Sequence, residues 1–292
     1  MDNNSSERSL RTGRDKKLHR TALFVWWRVS FVLSFLVMFI FVDTGNSFLR
    51  RLPKLLLLSL AASVVLTLLL IYGVLPLMNR FQKPYSALLR KLLDEGLTPE
   101  TESELKDMYN KCRANSTAAD YTQSIGIILA NHYTEAGDYE KAHEYMDAID
   151  NSMSFEYSNI PTYQARILEY FALKTALGAA EGGRSGAEAA YSQAKHFFEK
   201  YSGTNQVNAY WTALGTAEYL IACGEPEKAV KEIEPFMDYK EAKTDVLLML
   251  AKAAEAMGDN DKARKYINLA WDSTTSVYNR NIVEQRKARL KS

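Results

Sequence analysis

Three short segments of this chain share one pattern: "GDYEKA" at 137–142, "GEPEKA" at 224–229 and "GDNDKA" at 258–263. Each is preceded by a stretch of apolar residues at helical spacing and followed by another. The glycine tolerates the left-handed backbone that lets one helix stop and the next begin at once. Acidic residues just after it favour the positive end of the second helix. The alanine five positions on (Ala142, Ala229, Ala263) is small enough to let the two helices approach closely. Tyr139, Ala142, Met146 and Ile149 then share one face of the second helix, as do Ala263, Tyr266, Ile267 and Ala270. A chain punctuated in this way is expected to fold as helix pairs.

The rest of the sequence beyond residue 80 agrees. No run alternates with a period of two, and alanine, leucine, glutamate and lysine recur at helical spacing. In "PYSALLRKLL", Leu88, Leu89, Leu92 and Leu93 fall on one stripe, suited to lying along a membrane or to covering the end of a helical domain. Thr98 offers an N-cap and Pro99 a first helical residue for a helix running to about Arg113. Pro235 should cut short the helix that follows Gly224. "TYQARILEYFALKTALG" (162–178) and "GAEAAYSQAKHFFEKYSG" (186–203) both read as helices, and "AAEGGRS" between them reads as an enlarged flexible loop. The polar, basic stretch 276–291 reads as a helix capping the end of an array.

The front of the chain has a different chemistry. Residues 21–42 are apolar except for Arg28, and at about 1.5 Å per residue they reach roughly 33 Å, enough for a hydrocarbon core of about 30 Å. A second apolar run covers 55–78, and the short connection between them predicts a transmembrane helical hairpin. The first apolar stretch is longer than a signal-peptide core and has no small-residue cleavage site after it. Arg28 lies near the basic tail and beside Trp26 and Trp27, where it can snorkel to the head groups. Six cations precede the first run (Arg8, Arg11, Arg14, Lys16, Lys17, Arg20) and four follow the second (Arg80, Lys83, Arg90, Lys91), against three in the connection (Arg50, Arg51, Lys54). That bias predicts both termini on the cytoplasmic side of a plasma or inner membrane.

With the repeats in view, the sequence resembles the tetratricopeptide repeat (TPR) family. In 123–156 the matching residues are Leu129, Ala130, Tyr133, Gly137, Tyr139 and Ala142. In 210–243 they are Ala217, Gly224 and Ala229, with Leu220 where an aromatic is usual. In 244–277 they are Ala251, Gly258, Ala263 and Ala270, with Ala254 at the aromatic position. Gly224 and Gly258 stand at the family's 34-residue period, whereas Gly137 to Gly224 is 87 residues, nineteen beyond two periods. The resemblance implies stacked helix pairs whose first helices line a concave groove. The groove candidates it implies are Asn131 and Glu135, Trp211 and Glu218, and Lys252 and Glu255. The basic clamp that some members use for a terminal carboxylate is not matched, because Ile127, Gly215 and Met249 occupy those positions. A mixed groove with an aromatic suits a peptide or helical segment of a protein partner. For Trp211 the competing role is packing against the preceding helix pair.

Little in the chain points to chemistry. His19, His132, His143 and His196 fall in no metal-ligand spacing, and no Walker A, GxGxxG or GxSxG motif occurs. Cys112 and Cys223 are 111 residues apart and form no CxxC pair. Residues 79–292 carry twenty-six Lys and Arg against thirty-one Asp and Glu, which disfavours nucleic-acid binding. The expected organisation is all-α: a basic cytoplasmic tail (1–20), a transmembrane hairpin (21–78), a juxtamembrane helix pair (79–115) and a TPR-like domain with a C-terminal cap helix (116–292). The expected function is a non-catalytic scaffold or adaptor, with no metal or cofactor, which binds a protein partner at the membrane face. An accessory subunit whose specificity lies in the two spans, and an enzyme using the acidic groove, are the rival expectations.

Overall fold

The computed structural model describes Val32 and residues 48–69, 72–73, 80–115, 118–152 and 161–290. Among the described residues there are eleven α-helices and no strand. The chain divides into two compact units, 1–80 and 81–292.

In the first unit, α1 spans Phe48–Leu69. It starts inside the segment that the sequence assigns to the connecting loop, because leucine and arginine are good helix formers and carry the helix back to Phe48. Among the described residues no helix is long and apolar enough to cross a membrane. The expected first span (21–42, Val32 apart) and residues 70–71 and 74–78 of the second lie outside the described residues. Along the C-terminal part of α1, Leu60, Val64, Val65, Leu66, Leu68 and Leu69 are exposed, while Ser59 and Ser63 are fully buried. Thr67 Oγ1 donates to the Ser63 carbonyl at 2.7 Å, which satisfies its hydroxyl within the helix.

The second unit opens with α2 (Gln82–Glu95) and α3 (Pro99–Arg113). Leu88 and Leu92 enter the core, but Leu93 is exposed, so the leucine stripe is narrower than the sequence suggests. Thr98 Oγ1 accepts from the Thr101 amide at 3.2 Å and Pro99 opens the helix, as expected.

The helix pairs follow: α4 (Ala119–Ala136) with α5 (Tyr139–Ser152), α6 (Pro161–Tyr201), α7 (Gln206–Ala222) with α8 (Pro226–Ile233), and α9 (Lys243–Ala256) with α10 (Asn260–Ser273). The three repeat glycines adopt the same left-handed turn, with φ of 78° at Gly137, 80° at Gly224 and 77° at Gly258. After each, the next amide reaches back to the same carbonyl: Asp138 to Tyr133, Glu225 to Leu220 and Asp259 to Ala254, all at 2.9 Å. This closes the helix end in a Schellman arrangement. Asp259 adds more than charge, since its side chain caps α10 by accepting from the Lys262 amide at 3.0 Å. The small residues on both sides of each pair, Ala130, Ala217 and Ala251 facing Ala142, Ala229 and Ala263, have no exposed surface at all. Pro235 acts as expected: α8 has only eight residues and gives way to a 3-10 turn at Glu234–Phe236.

The expected loop at 179–185 does not form. Helix α6 runs from residue 161 through 182, reverses at Gly183 (φ 56°, ψ −136°), and continues from 184 to 201. Alanine and glutamate sustain the helix, and one glycine makes the turn. The arms touch backbone to backbone: a Cβ on Gly186 would stand 2.1 Å from the Gly178 carbonyl oxygen.

The core runs through this unit in three linked clusters. Trp211 packs against both the first (Leu88 to Tyr201) and the second (Tyr210 to Leu250). Met237 and Tyr266 bridge the second to the third, which contains Leu247, Ile267 and Val283. Contacts passed from neighbour to neighbour are what a stacked helical array requires.

The last helix, α11 (Val277–Arg289), forms within the expected stretch 276–291 and packs against α10 of the last helix pair. It packs also against α2, a contact the sequence does not signal. Asn281 lies so close to the turn after α2 that a Cβ on Gly96 would meet its Nδ2 at 2.4 Å.

Candidate functional site

The first helices of the pairs, α6 and α11 line an open cavity of about 750 Å³. Five of the six groove candidates line it: Asn131 and Glu135 on α4, Trp211 and Glu218 on α7, and Lys252 on α9. Glu255 is not among its lining residues, but it holds Arg286, which is. Trp211 has both roles that the sequence left open, since it faces the cavity and packs between two core clusters. Ile127, Met249, Leu173, Leu214, Leu248 and Ile282 give the cavity a largely apolar lining.

The charged groups within it are mostly paired. Lys252 Nζ meets Glu218 Oε2 at 2.5 Å, and these residues stand 34 positions apart, one repeat period. The pair is thus a rung between equivalent places in neighbouring repeats. Arg286 Nη2 lies 3.3 Å from Glu255 Oε2, and Arg289 Nη1 lies 3.0 Å from Glu135 Oε2. Arg289 Nη2 also donates to the Glu135 backbone carbonyl.

Two carboxylates that sequence reasoning missed complete the lining, Glu169 on α6 and Asp245 on α9. Glu169 has Arg166 at 3.8 Å, and Asp245 accepts from the Tyr210 hydroxyl at 3.3 Å. Burial raises the pKa of Glu169, and its neighbour Asp245 adds to the rise. Burial also lifts Asp245 to about 6 from an ordinary 3.8. Asp245 itself is exposed to solvent, but its carboxyl sits within the concave lining beside Glu169, Trp211 and Tyr278, so water solvates the charge only in part. Burial pushes the Tyr278 hydroxyl up to about 12, and a hydrogen bond with Asn131 partly offsets the rise. Asp245 could have been found by register, since it stands 34 residues after Trp211. The α11 residues carry no such signal.

The Asp245 shift has a testable sign. Its folded-state pKa is raised, so the folded protein holds this proton more tightly than the unfolded chain does. The group's contribution is most favourable below about pH 4 and deteriorates as pH rises through about 6. Asp245→Asn is therefore expected to raise the thermal midpoint at pH 7.5, by about 1 kcal/mol of stability. That figure is well under the full gap in pKa because the carboxyl faces cavity water. The gain should vanish near pH 4, and a gain independent of pH between 4 and 7.5 would contradict the assignment.

The remaining candidates are structural. His132 is on α4 beside Tyr133 at 5.2 Å between rings, and burial lowers its pKa. His143 on α5 meets Glu181 at 2.7 Å. Among the described residues, no three His, Cys, Asp or Glu side chains are grouped to hold a metal ion. Cys112 is buried and Cys223 half-buried, and both are free thiols. No family model, curated protein or solved structure matches the chain.

Proposed function

We propose that this protein is a membrane-tethered, TPR-like helical-repeat adaptor, non-catalytic, that holds a helix or peptide of a protein partner in its concave cavity. The observation that carries the reading is convergence. Residues chosen by repeat register from three separate segments, Asn131 and Glu135, Trp211 and Glu218, and Lys252, line one cavity. Its mixture of apolar walls and paired charges suits recognition of a side-chain pattern, a binding task that needs no activated nucleophile or metal. Three identical glycine turns and six fully buried alanines support the TPR-like geometry.

The tether is supported by the two apolar runs and by α1. Exposed leucines and valines over buried serines invert the pattern of a water-facing helix and suit contact with lipid. The cation bias around those runs puts both termini, and with them the cavity, on the cytoplasmic side.

The test uses the whole chain in membranes washed with alkaline carbonate. A photo-crosslinking amino acid at Trp211 is expected to capture a discrete protein partner. The same residue at Lys195, 62% exposed on the second arm of α6 and outside the cavity, is not. Loss of the chain in the wash would sink the tether, and equal capture at both positions would sink the groove.

A further inference from the structure

Helix α11 presents one face to the cavity, formed by Tyr278, Ile282, Arg286 and Arg289 at spacings of four, four and three. The walls opposite it contribute four carboxylates to the lining (Glu135, Glu169, Glu218, Asp245) and one cation, Lys252. Two of the three arginines of α11, Arg286 and Arg289, enter this acidic groove and make their ion pairs with Glu255 and Glu135. The features of a bound ligand are present here: a helix with one face turned to the groove, a complementary charge and a seat in the groove.

The helix is also lightly held. Val283 is the one fully buried side chain of α11, with Tyr278 partly buried against the first core cluster, whereas α9 buries seven. At the Arg286–Glu255 contact, Arg286 Nε and Glu255 Oε1 are both buried without a hydrogen-bond partner, so that pair is imperfectly satisfied. Only residues 274–276 join α11 to α10, which keeps its local concentration high without demanding a tight fit.

We infer that α11 is an internal ligand of the groove, and that the partner is a basic helix presenting the same face, an aromatic and an aliphatic followed by two arginines, which binds by taking α11's place. The inference rests on the groove-binding reading above and specifies its partner. With α11 seated, the groove is open only for the fraction of time that the helix is released. The apparent affinity for a competing helix falls by that fraction.

The probe is a fluorescein-labelled synthetic peptide of residues 274–290, and the target is the whole chain in detergent, followed by anisotropy. Wild type should bind it weakly. Arg286→Glu with Arg289→Glu, which unseats α11 and leaves the walls intact, should bind it at least tenfold more tightly. A peptide carrying the same two reversals should not bind either protein. Hydrogen exchange across α11, compared with α10, reports whether the reversals release the helix. If α11 exchanges as slowly as α10 in both proteins, it is an integral part of the fold and the inference is wrong. If α11 is released but the peptide still does not bind, or binds wild type and variant equally, the inference is also wrong. Should partner capture at Trp211 persist in either case, the adaptor reading stands and only the internal ligand falls. If capture fails while the peptide competes as described, the reverse holds.

Discussion

Gly186→Ala is expected to cost at least about 3 kcal/mol. An added Cβ would lie 2.1 Å from the Gly178 carbonyl oxygen and 2.9 Å from its carbon. Both are backbone atoms, so no rotamer change relieves the clash and the two arms of α6 must separate. Separation would loosen Leu177, Ala187, Ala190 and Ala194, which are buried along the arms. By propensity alone the change should gain about 1 kcal/mol, because glycine is a poor helix former. The sign is therefore decided by the interhelical contact. Gly182→Ala, where nothing lies within 4 Å of the new methyl, serves as control and should be neutral or stabilising. Chemical denaturation of the whole chain in detergent measures both. Equal stabilities for the two variants would mean that the arms do not meet at these glycines.

Lys252→Ala is the second large effect, at roughly 2 kcal/mol. Glu218 is 10% exposed at its side chain and Lys252 is 30% exposed, so the lysine shields a carboxylate that has little other solvation. Removing the lysine leaves that charge buried. Adding Glu218→Gln in the same chain should restore most of the loss, because the amide needs no counter-charge. A double variant no more stable than Lys252→Ala would show that the rung carries no coupling. This measurement also separates the structural work of the pair from any loss of partner binding in the same variants.

Much of the second unit was legible residue by residue. Helical periodicity, Thr98–Pro99 at the start of α3, Pro235 at the end of α8 and the three glycine turns are all local signals, and each sets backbone geometry within a few residues. The alanines were legible for a related reason. Helix pairs in register place a small residue at every crossing, and a fixed period exposes that in one dimension. Groove residues on first helices could be placed by the same period, as could Asp245 had the register of Trp211 been extended by 34.

Other features had no local cause. Gly178 and Gly186 look like loop glycines in "GAAEGGRSG", and only the close approach of two arms explains why both lack a side chain. The basic C-terminal stretch looks like a solvated cap, because its partners Glu135 and Glu255 lie 154 and 31 residues away from Arg289 and Arg286. Sequence by itself determined the helices, their turns and the pairing of neighbours, since those depend on dihedral preference and periodic burial over short distances. Tertiary structure alone decided that α6 folds on itself without a loop, that Glu169 and Asp245 line one cavity, and that α11 lends a face to it. Those outcomes depend on which distant surfaces meet, and on the cost of leaving charge and apolar area uncovered when they do.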